Sequence, residues 1–156
     1  MVNFPSNETF IQGEIIGYCA NDNELYKTVD AGYNWDLIYT GPSGISECHF
    51  LNESFGWMIT EDGVFKTTNG GEIWLPVFAE ASSVYFKDEN IGFVTVGNNI
   101  FKTSDGGSNW KLSYSHSEIK FLAIAGYGNT VVAAGHQAID PEGGPAFVIR
   151  SMSLGE

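Results

Sequence analysis

Basic residues are scarce in this chain. Lysine and arginine together number 7 against 19 aspartates and glutamates, a formal charge of −12, and Arg150 is the only arginine. A field of that sign repels phosphate backbones and anionic headgroups, so neither nucleic acid nor insertion at a membrane surface is expected. No apolar run approaches the length of a membrane-spanning helix. The first residues carry no basic and apolar leader pattern, so the cytoplasm is the expected compartment unless a signal has been removed. Cysteine is nearly absent too. Cys19 and Cys48 stand in apolar surroundings and read as buried small hydrophobes rather than a disulfide framework. The nucleophile elbow, the phosphate-cradling loop and the HExxH metal motif are all missing. No catalytic residue, cofactor or metal site is therefore assigned.

What the sequence does have is repetition. Three segments align without a gap: Glu14 to Trp35, Glu53 to Trp74 and Glu89 to Trp110, at offsets of 39 and 36 residues. Each holds a glycine followed by an aromatic, a polar turn, an aromatic-Lys-Thr run (Tyr26-Lys27-Thr28, Phe65-Lys66-Thr67, Phe101-Lys102-Thr103) and a closing tryptophan. Short apolar runs between turn residues read as strands. Tyr18 to Ala20, Leu25 to Lys27 and Trp35 to Tyr39 are three of them in the first unit, preceded by Thr9 to Ile11. Four strands in ~40 residues is the arithmetic of a propeller blade. The fold class expected is all-β, a β-propeller of four-stranded antiparallel blades with four blades per chain. Residues 1–156 form one domain in this reading, with units at about 9–39, 45–78, 83–114 and 119–156.

The fourth unit is altered. Lys120 to Ile124, Thr130 to Gly135 and Phe147 to Ser151 supply three strands, and no closing tryptophan follows. Residues 2–5 are the candidate for the missing outer strand, which would protect an open edge. Three arrangements stay open: a four-bladed monomer closed by that strand, a homodimer forming one eight-bladed ring, and a portion of a longer chain.

The last part of each unit reads [ST]-x-[DN]-x-G-x-x-W. It resembles the Asp-box, also called the BNR repeat, through Asp30, Gly32 and Trp35, through Asn69, Gly71 and Trp74, and through Asp105, Gly107 and Trp110. In such a turn the short polar side chain bonds nearby amides, and glycine supplies a positive φ. These residues are read as structural staples. Lys27, Lys66 and Lys102 are read as strand residues with solvated heads. The repeat also resembles photosystem II stability and assembly factor-like propellers, over residues 9 to 115 and more loosely over 120 to 151. That resemblance implies a binding scaffold. Sialidases share only the boxes, and their carboxylate grip takes three arginines where this chain has Arg150 alone.

Function is expected in loops on a rigid scaffold. The largest insertion is the segment from His136 to Pro145, which carries His136, Asp140 and Glu142. Asp22, Glu61 and Asp62 lie on the short turns of neighbouring units, and His116 lies in a further loop. These seven are the candidate binding residues. The leading reading is a non-enzymatic module for a protein or peptide partner. The alternative is a carbohydrate-active protein, either a lectin-like binder or a glycoside hydrolase using paired carboxylates.

Overall fold

The computed structural model describes residues 8–12, 15–137 and 147–153, with side chains described over 15–137. Fifteen strands occur among them and no helix. They are β1 (Glu8–Gln12), β2 (Ile16–Asn21), β3 (Glu24–Thr28), β4 (Asp36–Thr40), β5 (Ile45–Phe50), β6 (Gly56–Thr60), β7 (Gly63–Thr67) and β8 (Leu75–Phe78). The chain continues with β9 (Ser83–Phe86), β10 (Gly92–Val96), β11 (Asn99–Thr103), β12 (Lys111–Ser115), β13 (Ile119–Tyr127), β14 (Thr130–Gln137) and β15 (Phe147–Ser153). They form four antiparallel sheets in chain order: β1–β4, β5–β8, β9–β12 and β13–β15. The proposed closing strand at residues 2–5 lies outside the described residues.

Two compact units divide the chain, Met1–Glu80 and Ala81–Glu156, with two sheets in each. In the first unit Tyr18, Ala20 and Leu25 pack against Ile45, Cys48, Phe50 and Met58 of the neighbouring sheet. The Tyr18 and Phe50 rings lie parallel with centroids 3.5 Å apart. In the second unit Phe93 and Ile100 pack against Ile119, Phe121, Ile124, Val131 and Ala133. Burying one such side chain fully contributes about 1.5–3 kcal/mol, so these faces are the main source of stability. Cys19 and Cys48 are buried thiols in the reduced state.

Local chemistry explains the sheets. The strand-opening glycines Gly56 and Gly92 sit under phenylalanine rings of the preceding strand, Phe50 and Phe86. A Cβ at Gly56 would lie 2.6 Å from the Phe50 ring. Those same rings meet Trp74 and Trp110 edge-on, at 5.9 Å in each case. The third and fourth strands of each complete sheet share one irregularity. The register shifts between Leu25 and Tyr26, between Val64 and Phe65, and between Ile100 and Phe101. A bulge at the same place in three sheets re-aims the outer strand in the same way each time.

Candidate functional site

The turn that joins the third and fourth strands is built on threonine as much as on aspartate. In the first sheet the Thr28 hydroxyl donates to Asp30 Oδ1 (2.8 Å) and accepts from the amides of Gly32 (2.9 Å) and Asp30 (3.3 Å). Asp30 then accepts from the Asn34 amide (2.8 Å) and the Asn34 side chain (2.6 Å). The second sheet repeats this with Thr67, Asn69, Gly71 and the amide of Ile73, and the third with Thr103, Asp105, Gly107 and Asn109. Gly32, Gly71 and Gly107 have φ of 87°, 97° and 97°, where a side chain would strain the backbone. The indoles of Trp74 and Trp110 donate to the Gly71 and Gly107 carbonyls at 2.9 and 3.1 Å.

These bonds fix the carboxylates electrostatically. The Asn34 backbone amide, then its side chain and Thr28, hold the Asp30 carboxyl below the usual aspartate range. The Asn109 side chain, then its amide and Thr103, do the same for Asp105. Both carboxylate oxygens of Asp30 and of Asp105 accept hydrogen bonds within their own turns. Each turn is also tied to the loop between the first two strands, through Ala31 N to Ile15 O, Gly70 N to Ser54 O and Gly106 N to Asn90 O at 2.9 Å each.

The lysines that precede the turns do more than solvate. Each lies directly opposite the aromatic of the second strand: Lys27 by Tyr18, Lys66 by Trp57 and Lys102 by Phe93. Their ammonium groups stand 5.6, 5.4 and 5.9 Å from those ring centroids. Contacts of this kind contribute about 0.5–1 kcal/mol each at partly exposed sites.

In the first unit the hairpins at the opposite end of the sheets carry Asp22, Glu61 and Asp62. The hairpin between the second and third strands is two residues long in each complete sheet: Asp22-Asn23, Glu61-Asp62 and Gly97-Asn98. Asp22 holds φ at 54°, and Asp22, Glu61 and Asp62 are exposed. In the first unit the loop at Gly41–Ile45 clasps the first hairpin. Gly41 N donates to Asn23 O (2.8 Å), Ile45 N to Asp22 O (2.7 Å) and Asn23 Nδ2 to Gly41 O (2.6 Å). Ser43 in that loop donates to Asp62 of the next hairpin at 2.7 Å. The structure thus brings Asp22 and Asp62 to one rigid end of the first unit. Ser43 was not apparent as their link, because nothing in a Gly-Pro-Ser-Gly turn marks which side chain points at a neighbouring hairpin.

His116 and His136 belong to the second unit. The His116 amide donates to Asn98 O (3.0 Å), and its ring Nδ1 accepts from the Glu118 amide (3.1 Å), so the imidazole serves its own turn. His136 lies near the end of β14, opposite Lys120, with Nδ1 3.0 Å from Gln137 O. Asp140 and Glu142 lie outside the described residues. Among the described residues no group of three or more His, Cys, Asp or Glu side chains could hold a metal ion.

The sequence matches no family model, and no curated protein matches it. Solved structures do resemble it. A GH74 xyloglucanase from Xanthomonas campestris gives a TM-score of 0.74 at 10% identity, over 93% of this chain and 29% of that one. YCF48 from Cyanidioschyzon merolae gives 0.70 at 15%, over 99% and 56%. A structure of YCF48 bound to D1 peptide gives 0.63 at 18%, over 92% and 56%. At these identities the likeness establishes the fold, which is that of a β-propeller. The chain spans between about a third and just over half of the length of these structures.

Proposed function

We propose that this chain is a non-enzymatic propeller scaffold of the Asp-box type that binds a cationic protein or peptide segment at its hairpin end. The observation that carries the reading is the clasped platform of the first unit. Exposed Asp22, Glu61 and Asp62 stand on two-residue hairpins braced by backbone bonds and by Ser43. A rigid scaffold loses little entropy when it binds, and surface carboxylates steer a basic partner. The acids of the opposite end, Asp30 and Asp105, are engaged in their own turns and offer less to a ligand. A peptide-bound YCF48 structure has the same fold, which makes a peptide a reasonable occupant.

The test is selection from an array of short peptides, followed by titration of the strongest binder. Neutralising Asp22→Asn, Glu61→Gln and Asp62→Asn together weakens binding at least ~10-fold, and added salt weakens it further. Binding that ignores both changes defeats the reading. So does hydrolysis of a glucan that disappears in Asp140→Ala or Glu142→Ala.

A further inference from the structure

Asn69 is the one asparagine of the chain that precedes a glycine; every other is followed by a residue with a side chain. That step is chemically reactive. A backbone amide nitrogen can attack the side-chain carbonyl carbon of the asparagine before it, and a glycine amide, with no Cβ beside it, meets the least steric resistance. Asn69 is exposed, in the turn between β7 and β8. It stands where the sister turns carry Asp30 and Asp105. In those turns Asn34 and Asn109 donate their side chains to the second carboxylate oxygen. The matching residue here is Ile73, which offers only its backbone amide. The Asn69 side chain is anchored through Oδ1, which accepts from the Thr67 hydroxyl (2.9 Å) and from the Ile73 amide (3.0 Å).

The attacking nitrogen is restrained as well. Gly70 N donates to Ser54 O at 2.9 Å. A Cβ on Gly70 would lie 2.8 Å from Glu53 O, so this stretch of backbone is pressed against the loop between β5 and β6. In the closed turn both reacting groups are therefore held, the nitrogen by the loop and the side-chain carbonyl by Thr67 and Ile73. Reaction needs Gly70 N to leave Ser54 and the Asn69 side chain to swing toward it. Opening of this one turn controls the step.

We infer that Asn69 is a site of spontaneous, one-way deamidation, with the Thr67 hydroxyl as the latch that sets its rate. The Gly70 nitrogen bonds to Asn69 Cγ, the bond from Cγ to Nδ2 breaks, and ammonia leaves with the proton of the Gly70 amide. A five-membered imide remains, and water opens it at either carbonyl. Opening at Cγ gives an ordinary aspartate, the residue of the sister turns, and keeps an acceptor for Thr67 and Ile73. Opening at the main-chain carbonyl routes the chain through Cγ and lengthens it by one carbon. That product pulls Gly70 N out of register with Ser54 O and unlatches the turn from its loop.

The full chain is incubated in mildly alkaline buffer and cleaved after Lys66 and Lys87. The peptide released has Asn69 as its only asparagine and contains no glutamine, so its mass gain reads this site alone. The chain unfolded in guanidinium chloride converts at least ~10-fold faster than the folded chain, a comparison that needs no variant. Folded Thr67→Val converts at a rate between the two, and Thr67→Ser, which keeps the hydroxyl, stays at the wild-type rate. Thr103→Val removes the matching hydroxyl in the other compact unit and leaves the rate at Asn69 unchanged. Conversion as fast in the folded chain as in the unfolded one overturns the latch, and so does a Thr103→Val rate equal to that of Thr67→Val. An Asn69 that stays intact in the unfolded chain overturns the site itself.

Discussion

Thr67→Val replaces the hub of one turn with a side chain of the same shape and no hydroxyl. Three bonds go: the donation to Asn69 and the acceptances from the amides of Gly71 and Asn69. The position is 1% exposed and Gly71 is buried, so the freed amide finds no water. An unsatisfied buried donor costs about 1–3 kcal/mol, and the loosened Asn69 side chain adds to it, so a loss of about 2–3 kcal/mol is expected. Thr67→Ser keeps the hydroxyl and loses one methyl, about 1 kcal/mol. Thr103→Val behaves like Thr67→Val because Gly107 is also buried. Thr28→Val costs less, about 1 kcal/mol, since the amide it frees belongs to exposed Gly32 and can turn to solvent. Urea titration followed by tryptophan emission reads the midpoints, with the slope held constant across variants. A Thr67→Val protein within ~0.5 kcal/mol of wild type would falsify the claim that the hydroxyl organises the turn.

Other perturbations check other parts of the account. Because the folded-state values of Asp30 and Asp105 are depressed, their contribution is full above the unfolded value near ~3.9 and fades as pH falls through the folded value. The double variant Asp30→Asn and Asp105→Asn should therefore show a shallower loss of stability below about pH 4, and an unchanged acid limb would contradict this. The Tyr18 hydroxyl is buried and has no hydrogen-bond partner among the described residues, and burial, then Glu53 and Cys48, push its pKa up to about 12. Tyr18→Phe should be neutral or stabilising by up to ~1–2 kcal/mol while the ring stack on Phe50 persists, and a clear loss would mean that the hydroxyl is bonded. Gly56→Ala drives a methyl into the Phe50 ring and should cost about 1–3 kcal/mol by thermal melting, a result that an unshifted midpoint would refute.

Much of the fold was legible because the repeat encodes it locally. The aromatic-Lys-Thr run marks the third strand, and the glycine after it forces a turn where the backbone needs a positive φ. The fourth unit, with no box to align, was still readable from its apolar runs, although β13 and β14 run longer than the apolar cores alone suggest. The shared bulge was hidden, since skipping one residue at Ile38, Val77 or Ser113 depends on how the outer strand twists rather than on any one side chain. The lysine-on-ring contacts were hidden too, because they need the strand register before Lys27 can be set opposite Tyr18. At the candidate site the exposed acids could be picked out from their turn positions. The clasp of Gly41 to Ile45 and the Ser43–Asp62 bond could not, as they join segments that only the packed sheets bring together.

The most direct measurement is the mapping of backbone amide shifts as the selected peptide is titrated into the labelled chain. The account predicts shifts concentrated at Asp22, Asn23, Ser43, Glu61 and Asp62, with the amides around Asp30, Asn69 and Asp105 unmoved. Shifts centred on those three turns instead would contradict it.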